Sequence, residues 1–187
     1  MIRHIYVFPR EVIATVIRNQ ETISSLSWAL ISIYSSPPEQ LVTDDKVELM
    51  HRMNCKSILN LCFGDVTKEQ FERIKDVTPK ALDHGLRLFD ETDAQKILDF
   101  VKVVNDEPIG TLVVHCDAGI SRSGAVGLFI SRLLGLDEKE FRKTNRIIHP
   151  NNYVYGVLTE VSGMNKDYEK YWEKELRDEN GRIKLIV

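Results

Sequence analysis

Short apolar runs rich in β-branched residues alternate along this chain with segments whose apolar residues recur at helical spacing. The runs cover residues 4–8, 28–34, 57–63 and 111–115. They are mostly apolar on both faces, and helical stretches separate them. Such alternation is typical of a parallel sheet covered by helices. We therefore predict an α/β fold with a central, mostly parallel sheet of four to five strands flanked by helices on both faces.

The length of 187 residues suits one domain with a sizeable core. We predict a single domain over residues 1–187, in which residues 166–187 form a peripheral charged helix and tail. Three helices are predicted to start where a capping residue precedes a glutamine or glutamate by three positions. These pairs are Thr67 with Gln70, Thr92 with Gln95, and Asp137 with Glu140. The stretch after Ser123 is apolar nearly all round, which predicts a buried central helix.

Composition excludes several classes of partner. The net charge of −3 provides no global basic field for nucleic acid. No apolar run approaches the ~20 residues that span a bilayer, so we expect no membrane partner. Cys55, Cys62 and Cys116 follow no disulfide or metal-ligand spacing, so we predict no metal site and a reducing, cytoplasmic location.

The stretch "VVHCDAGISRSG" places a cysteine between a predicted strand and the buried helix. In such sheets, ligands bind at the carboxyl ends of strands, where helix N-termini point. The backbone N–H groups of the loop are expected to converge as an anion-binding nest. The phosphate-binding residues are predicted to be Asp117, Ala118, Gly119, Ile120, Ser121 and Arg122. Gly119 supplies a backbone conformation that a side chain forbids, and Arg122 adds a planar fork of donors.

A thiol in this setting is expected to be stabilised as a thiolate by the same N–H groups, helix dipole and arginine. Cys116 is therefore the predicted nucleophile, aimed at a bound phosphoryl group. Ser123 is placed to hydrogen-bond the thiolate and to stabilise it as a leaving group. His115 is expected to order the loop through its ring nitrogens.

The stretch "HCDAGISRSG" resembles the His-Cys-x5-Arg-Ser signature, the P-loop, of the cysteine-dependent protein tyrosine and dual-specificity phosphatases. The order of "WALISI", "ILNLCFGDV", "DAQKILDFV" and "HPNNYV" around it is most similar to the bacterial and phage group of predicted protein tyrosine phosphatases. The resemblance implies a protein tyrosine phosphatase-like fold of the dual-specificity type. It also implies hydrolysis of a phosphomonoester through a phosphocysteine intermediate, with no metal or cofactor.

This reaction needs a proton donor for the leaving oxygen, which in the family is an aspartate on a loop upstream of the nucleophile. Asp65 is favoured because it follows a predicted strand and matches the family's Phe-x-Asp, although it lies 51 residues before Cys116. Asp90 would take that place if residues 85–89 formed a strand of the main sheet. Asp93 is the third candidate, but the helix dipole alone explains an acidic residue there.

The family resemblance implies a phosphorylated protein or peptide as substrate, and inorganic phosphate or another oxyanion as a ligand of the loop. A phosphatase of a nucleotide or phosphoinositide is an alternative, although Asp117 and Ala118 are not the paired lysines that suit inositol phosphates. A non-catalytic phosphate-binding module is a second alternative, which an intact Cys116 and Arg122 disfavour.

Two further features carry open predictions. Cys62 either packs in the core as part of a strand or approaches Cys116 across neighbouring strands, where oxidation would join them. Asn151 or Asn152 either buttresses the phosphate-binding loop or belongs to a simple turn and helix N-cap.

Overall fold

The computed structural model describes residues 1–21, 23–36, 39–78 and 80–164. Within them, four strands form one sheet in the order β1-β4-β2-β3, and every neighbouring pair is parallel. The strands are β1 (His4–Pro9), β2 (Trp28–Tyr34), β3 (Cys55–Cys62) and β4 (Thr111–Cys116). The predicted α/β class and the parallel sheet are confirmed. The predicted helix and tail at 166–187 lie outside the described residues.

Helices connect the strands and cover the sheet. They are α1 (Arg10–Asn19), α2 (Asp44–Arg52), α3 (Lys68–Val77), α4 (Lys80–Asp83), α5 (Glu91–Asp106), α6 (Arg122–Leu133), α7 (Glu138–Thr144) and α8 (Asn152–Ser162). The apolar helix predicted after Ser123 is α6, whose residues from 122 to 131 are all buried. In the described part of the chain, no helix has the length and apolar character needed to cross a bilayer.

The two central strands are buried on both faces because successive side chains of a strand point to opposite sides. In β4, Leu112 and Val114 belong to the larger core, which α5, α6 and α8 complete. Val113, between them, belongs to a second core with Ile13 of α1 and Met50 of α2. Helices therefore cover both faces of the sheet, as predicted.

The carboxyl ends of the strands meet at one edge of the sheet. Pro9 of β1 pairs with Cys116 of β4, and Ser32 of β2 pairs with His115. Because all four strands run in the same direction, the loops that follow them converge at this edge. The loop that follows Cys116 therefore lies among the loops that follow β1, β2 and β3.

One predicted helix start is wrong. Thr67 and Gln70 form the expected reciprocal capping box, and Asp137 caps α7. The helix predicted to start at Thr92 is capped instead by Asp90, in a reciprocal capping box with Asp93. The difference arises because Arg87 makes two 2.6 Å hydrogen bonds to the Asp93 carboxylate, which anchor an earlier helix start.

Asn145 covers the side of the edge strand β1 that does not pair with β4. Its side-chain oxygen accepts the N–H of Val7 over 2.7 Å, and its amide nitrogen donates to the carbonyl of Ile5 over 3.0 Å. It also donates to the carbonyl of Phe141 in α7 over 2.9 Å. The side chain thus acts as a short substitute strand along β1, and such coverage protects an edge from unwanted pairing.

We expect Asn145→Ala to lower the free energy of unfolding by about 2 kcal/mol, since it leaves buried backbone groups of β1 without partners. Urea denaturation measures the change. Asn19→Ala is the matched control, because Asn19 bonds only the nearby carboxylate of Glu21 at the surface. An equal loss of stability in both variants would contradict the role assigned to Asn145.

Candidate active site

The connection between β4 and α6 forms a tight loop at the carboxyl edge of the sheet. Cys116 is the last residue of β4 and is 1% exposed. Arg122 is the first residue of α6 and is 3% exposed. Only residues 117–121 separate them, so the thiol and the guanidinium are both held by regular structure.

Gly119 is required by the close approach of this loop to β1. Its φ is +71°, in the left-handed region that side chains rarely adopt. A Cβ atom here would lie 2.3 Å from the nitrogen of Pro9 and 2.8 Å from the carbonyl oxygen of Phe8. Only glycine satisfies both conditions, as the sequence predicts.

The carbonyl groups of the loop are bonded to its surroundings. The carbonyl of Asp117 accepts the N–H of Arg10 over 3.1 Å, and that of Ile120 accepts the N–H of His149 over 3.0 Å. The carbonyl of Ser121 accepts the N–H of Asn151 over 3.1 Å. Among the described residues, nothing accepts the N–H groups of residues 118–121. Outward-tied carbonyls and open N–H groups are the arrangement of an anion-binding nest.

Two hydroxyl groups support the strand end. The Sγ of Cys116 and the Oγ of Ser123 are 3.0 Å apart, and either can donate. The Nε2 of His115 lies 2.8 Å from the Oγ of Ser32 on the neighbouring strand. Burial lowers the pKa of His115 to about 4, so its imidazole is neutral at pH 7. His115 therefore joins two strands beneath the loop without adding a charge beside the thiol.

The Arg122 guanidinium is held from three sides. Its Nη1 donates to the carbonyl of Phe63 over 2.8 Å and to the Oγ of Ser35 over 3.0 Å. Its Nη2 forms an ion pair with the carboxylate of Asp117. Its Nε is buried and has no hydrogen-bond partner among the described residues. A buried donor without a partner in a rigidly held side chain is suited to bind an oxyanion in the loop.

Two side-chain contacts of Arg122 were not predicted from the sequence. Asp117 was expected to bind phosphate through its backbone N–H only, and Ser35 was not among the predicted site residues. Ser35 donates to Asp117 over 3.0 Å as well as accepting from Arg122. Burial alone would raise the pKa of Asp117, but the hydrogen bond and charge of Arg122 outweigh burial and lower it. One signal for Ser35 was present, because this serine directly follows a predicted strand and therefore lies at the same edge as Cys116.

The carboxylate of Asp65 is hydrogen-bonded to the loop. Its Oδ1 accepts the hydroxyl of Ser121 over 2.7 Å and the amide Nδ2 of Asn151 over 2.9 Å. Asn151 also caps α8 through its Oδ1, so both of the roles considered for this residue are filled by one side chain. Asp65 is thus held beside the residue that precedes Arg122.

Asp90 and Asp93 have structural partners instead. Residues 85–89 form no strand, which removes the condition under which Asp90 would replace Asp65. Asp90 caps α5, and Asp93 is 1% exposed and bonded twice to Arg87. Both carboxylates are explained by the start of α5 and its contact with Arg87.

The idea that Cys62 approaches Cys116 across neighbouring strands is wrong. Cys62 ends β3 and Cys116 ends β4, but β2 lies between these two strands. Two strand spacings amount to ~10 Å, whereas disulfide Cα atoms lie within ~7 Å. Cys62 is half-buried at the strand end, and burial raises the pKa of its thiol.

No protein-family model and no curated protein matches this sequence. Several solved structures are similar to the chain. Tk-PTP in its active form is 15% identical, with 86% of this chain and 91% of that chain covered and a TM-score of 0.46. Human tyrosine phosphatase-like serine/threonine/tyrosine-interacting protein is 17% identical, with 83% of this chain and 85% of that chain covered and a TM-score of 0.41. PTPMT1 is 13% identical, with 84% of this chain and 89% of that chain covered and a TM-score of 0.48. Sequence identities below 25% and TM-scores below 0.5 assign no function to this chain.

We expect Gly119→Ala to weaken binding of vanadate to the loop by at least about tenfold, because the added Cβ displaces the loop or β1 and positive φ adds ~1–2 kcal/mol of strain. Isothermal titration calorimetry measures the affinity. Gly156→Ala is the matched control, since a Cβ there meets nothing within 4 Å. Unchanged vanadate affinity in Gly119→Ala would show that the loop does not bind the anion.

Proposed function

We propose that the chain is a phosphomonoester hydrolase of the protein tyrosine or dual-specificity phosphatase type, acting through a phosphocysteine intermediate. The observation that carries the proposal is the meeting of three groups at one loop. The thiol of Cys116 lies at its base, the unpartnered Nε of Arg122 at its end, and the carboxylate of Asp65 on Ser121. These are a nucleophile, an oxyanion donor and a proton donor.

The first step is transfer of the phosphoryl group to sulfur. The Cys116 thiolate attacks phosphorus, the S–P bond forms, and the P–O bond to the leaving group breaks. Asp65 gives its proton to the leaving oxygen. Its Oδ1 already accepts two hydrogen bonds, so Oδ2 is the oxygen suited to carry the proton. Arg122 and the loop N–H groups bind the three equatorial oxygens of the phosphoryl group and stabilise the charge on these oxygens in the transition state.

The second step is hydrolysis of the phosphocysteine. The Asp65 carboxylate takes a proton from water while the water oxygen attacks phosphorus and the S–P bond breaks. The hydroxyl of Ser123, 3.0 Å from the sulfur, donates to the departing thiolate. The products are inorganic phosphate and a regenerated thiolate, and no metal or cofactor takes part in this scheme.

The finer assignments belong to the same proposal. The substrate is a phosphorylated protein or peptide, the chain belongs to the bacterial and phage group that its motifs resemble, and it works in a reducing cytoplasm. Three free thiols, at Cys55, Cys62 and Cys116, are consistent with that compartment. A non-catalytic phosphate-binding module is disfavoured, because it has no need of a carboxylate docked on the loop.

We expect Cys116→Ser to reduce hydrolysis of an aryl phosphate by at least ~10³-fold, because a serine hydroxyl is not ionised at neutral pH. Binding of vanadate should survive, since the loop N–H groups and Arg122 are unchanged. Steady-state kinetics and calorimetry measure the two effects. In the wild type, activity should persist in chelator and be blocked by vanadate. Retained turnover in Cys116→Ser would rule out the proposed nucleophile.

We expect Asp65→Asn to lower kcat for a phosphotyrosine peptide by ~10²-fold or more, because the leaving oxygen loses its proton donor. One limb of the pH–rate profile should also flatten. Asp90→Asn is the matched control. It alters the cap of α5, so it should cost ~1 kcal/mol of stability or less while leaving the profile unchanged. If Asp90→Asn flattens the profile instead, Asp65 is not the acid.

A further inference from the structure

Carboxylates pair with the arginines that contact the loop between Cys116 and Arg122. Besides Arg122 itself, Arg10 makes such a contact through Asp117. Nη1 of Arg10 lies 3.7 Å from carboxylate oxygens of both Glu39 and Asp117. Arg87, whose carbonyl accepts the N–H of Gly64 next to Asp65, donates to Asp93 and lies 3.5 Å from Asp90. Neither side chain is left as a free guanidinium for a second anionic group of a substrate.

Carboxylates outnumber guanidinium groups among the described residues bonded to this loop or to its arginine partners. Against Arg10 and Arg122 stand the three carboxylates of Glu39, Asp65 and Asp117. The Arg122 Nε and the loop N–H groups remain for one phosphoryl group. The loop therefore offers strong donors at one point and has an excess of negative charge around it.

Asp117 is central to this balance. One of its oxygens bonds Nη2 of Arg122 and the hydroxyl of Ser35, while the other faces Arg10. The side chain is 41% exposed, so its charge acts on groups in solution as well as on Arg122. Glu39 is also part exposed and shares Arg10 with Asp117, but it has no contact with Arg122. These two carboxylates can therefore be separated experimentally.

We propose that Asp117 and Glu39 make this site selective for phosphomonoesters on a cationic scaffold, such as a phosphotyrosine flanked by lysine or arginine, and exclude substrates with further anionic groups beside the phosphate. This inference rests on the proposed function and specifies its substrate class. An acidic group beside the phosphate meets these two carboxylates, and Arg10 beside them is already paired. A basic group is attracted by the same charges.

Two phosphotyrosine peptides of equal length test the proposal, one with lysines and one with glutamates beside the phosphotyrosine. The wild type should have a kcat/KM at least about fivefold higher for the lysine peptide in low salt. The ratio should shrink in 0.5 M salt, where the Debye length is only several Å. A ratio of one, or a preference for the glutamate peptide, overturns the proposal.

Three charge-neutralising variants locate the effect. Glu39→Gln should reduce the ratio by about threefold, the size that one exposed charge pair supports. Asp117→Asn should reduce it at least as much. Glu107→Gln is the matched control, because Glu107 precedes the amino end of β4, whereas Cys116 is at the carboxyl end of the same strand. If Glu107→Gln shifts the ratio as much as Glu39→Gln, net charge alone is responsible and the proposal is wrong.

Two measurements separate this test from the test of the proposed function. Turnover of an aryl phosphate that has no charged group besides the phosphate reports on the proposed function, and absence of this turnover overturns the proposed function alone. Binding of both phosphopeptides to Cys116→Ser by calorimetry gives the charge preference independently of turnover. Should Asp117→Asn be inactive because Arg122 moves, Glu39→Gln decides the outcome, since Glu39 does not contact Arg122.

Discussion

Burial of the Arg122 guanidinium is the constraint on which the carboxyl edge of this sheet depends. A buried charge is costly unless it is paired and hydrogen-bonded. Here the partners come from three places: the carbonyl of Phe63 after β3, the hydroxyl of Ser35 after β2, and the carboxylate of Asp117 in the loop itself. The hydrogen bonds of the Arg122 guanidinium therefore hold the segments after β2, β3 and β4 in a fixed arrangement. Its Nε has no partner among the described residues and is left for a ligand.

The same arrangement links the proposed binding of phosphate to the proposed charge selectivity. Asp117 pairs with Arg122, but it also places a negative charge beside the position proposed for the phosphate. Arg10 offsets part of this charge, and Glu39 in turn offsets Arg10. The loop N–H groups supply donors that carry no full charge, so the proposed site accommodates one phosphate while its carboxylates would repel a second anionic group.

Much of the fold was predictable because its signals are local. The four strands and most helix starts follow from apolar runs and capping residues within a few positions of one another. The start of α5 was missed because Asp93 is anchored by Arg87, a side-chain contact that no capping pattern contains. The supposed approach of Cys62 to Cys116 failed because strand order depends on how the connections pack, and β2 lies between β3 and β4.

Sequence alone was enough to predict the strand, loop and helix around Cys116, the need for glycine at position 119, and the pairing of a thiol with an arginine. All of these features lie within one short stretch, where the backbone geometry of a strand, a tight loop and a helix by itself brings the residues close together. The three-dimensional fold was needed to show that Asp65 is hydrogen-bonded to Ser121, whereas Asp90 and Asp93 form the capping box of α5. It also brought Ser35, Phe63 and Arg10 to the loop, because contacts across dozens of residues depend on the order and register of the strands.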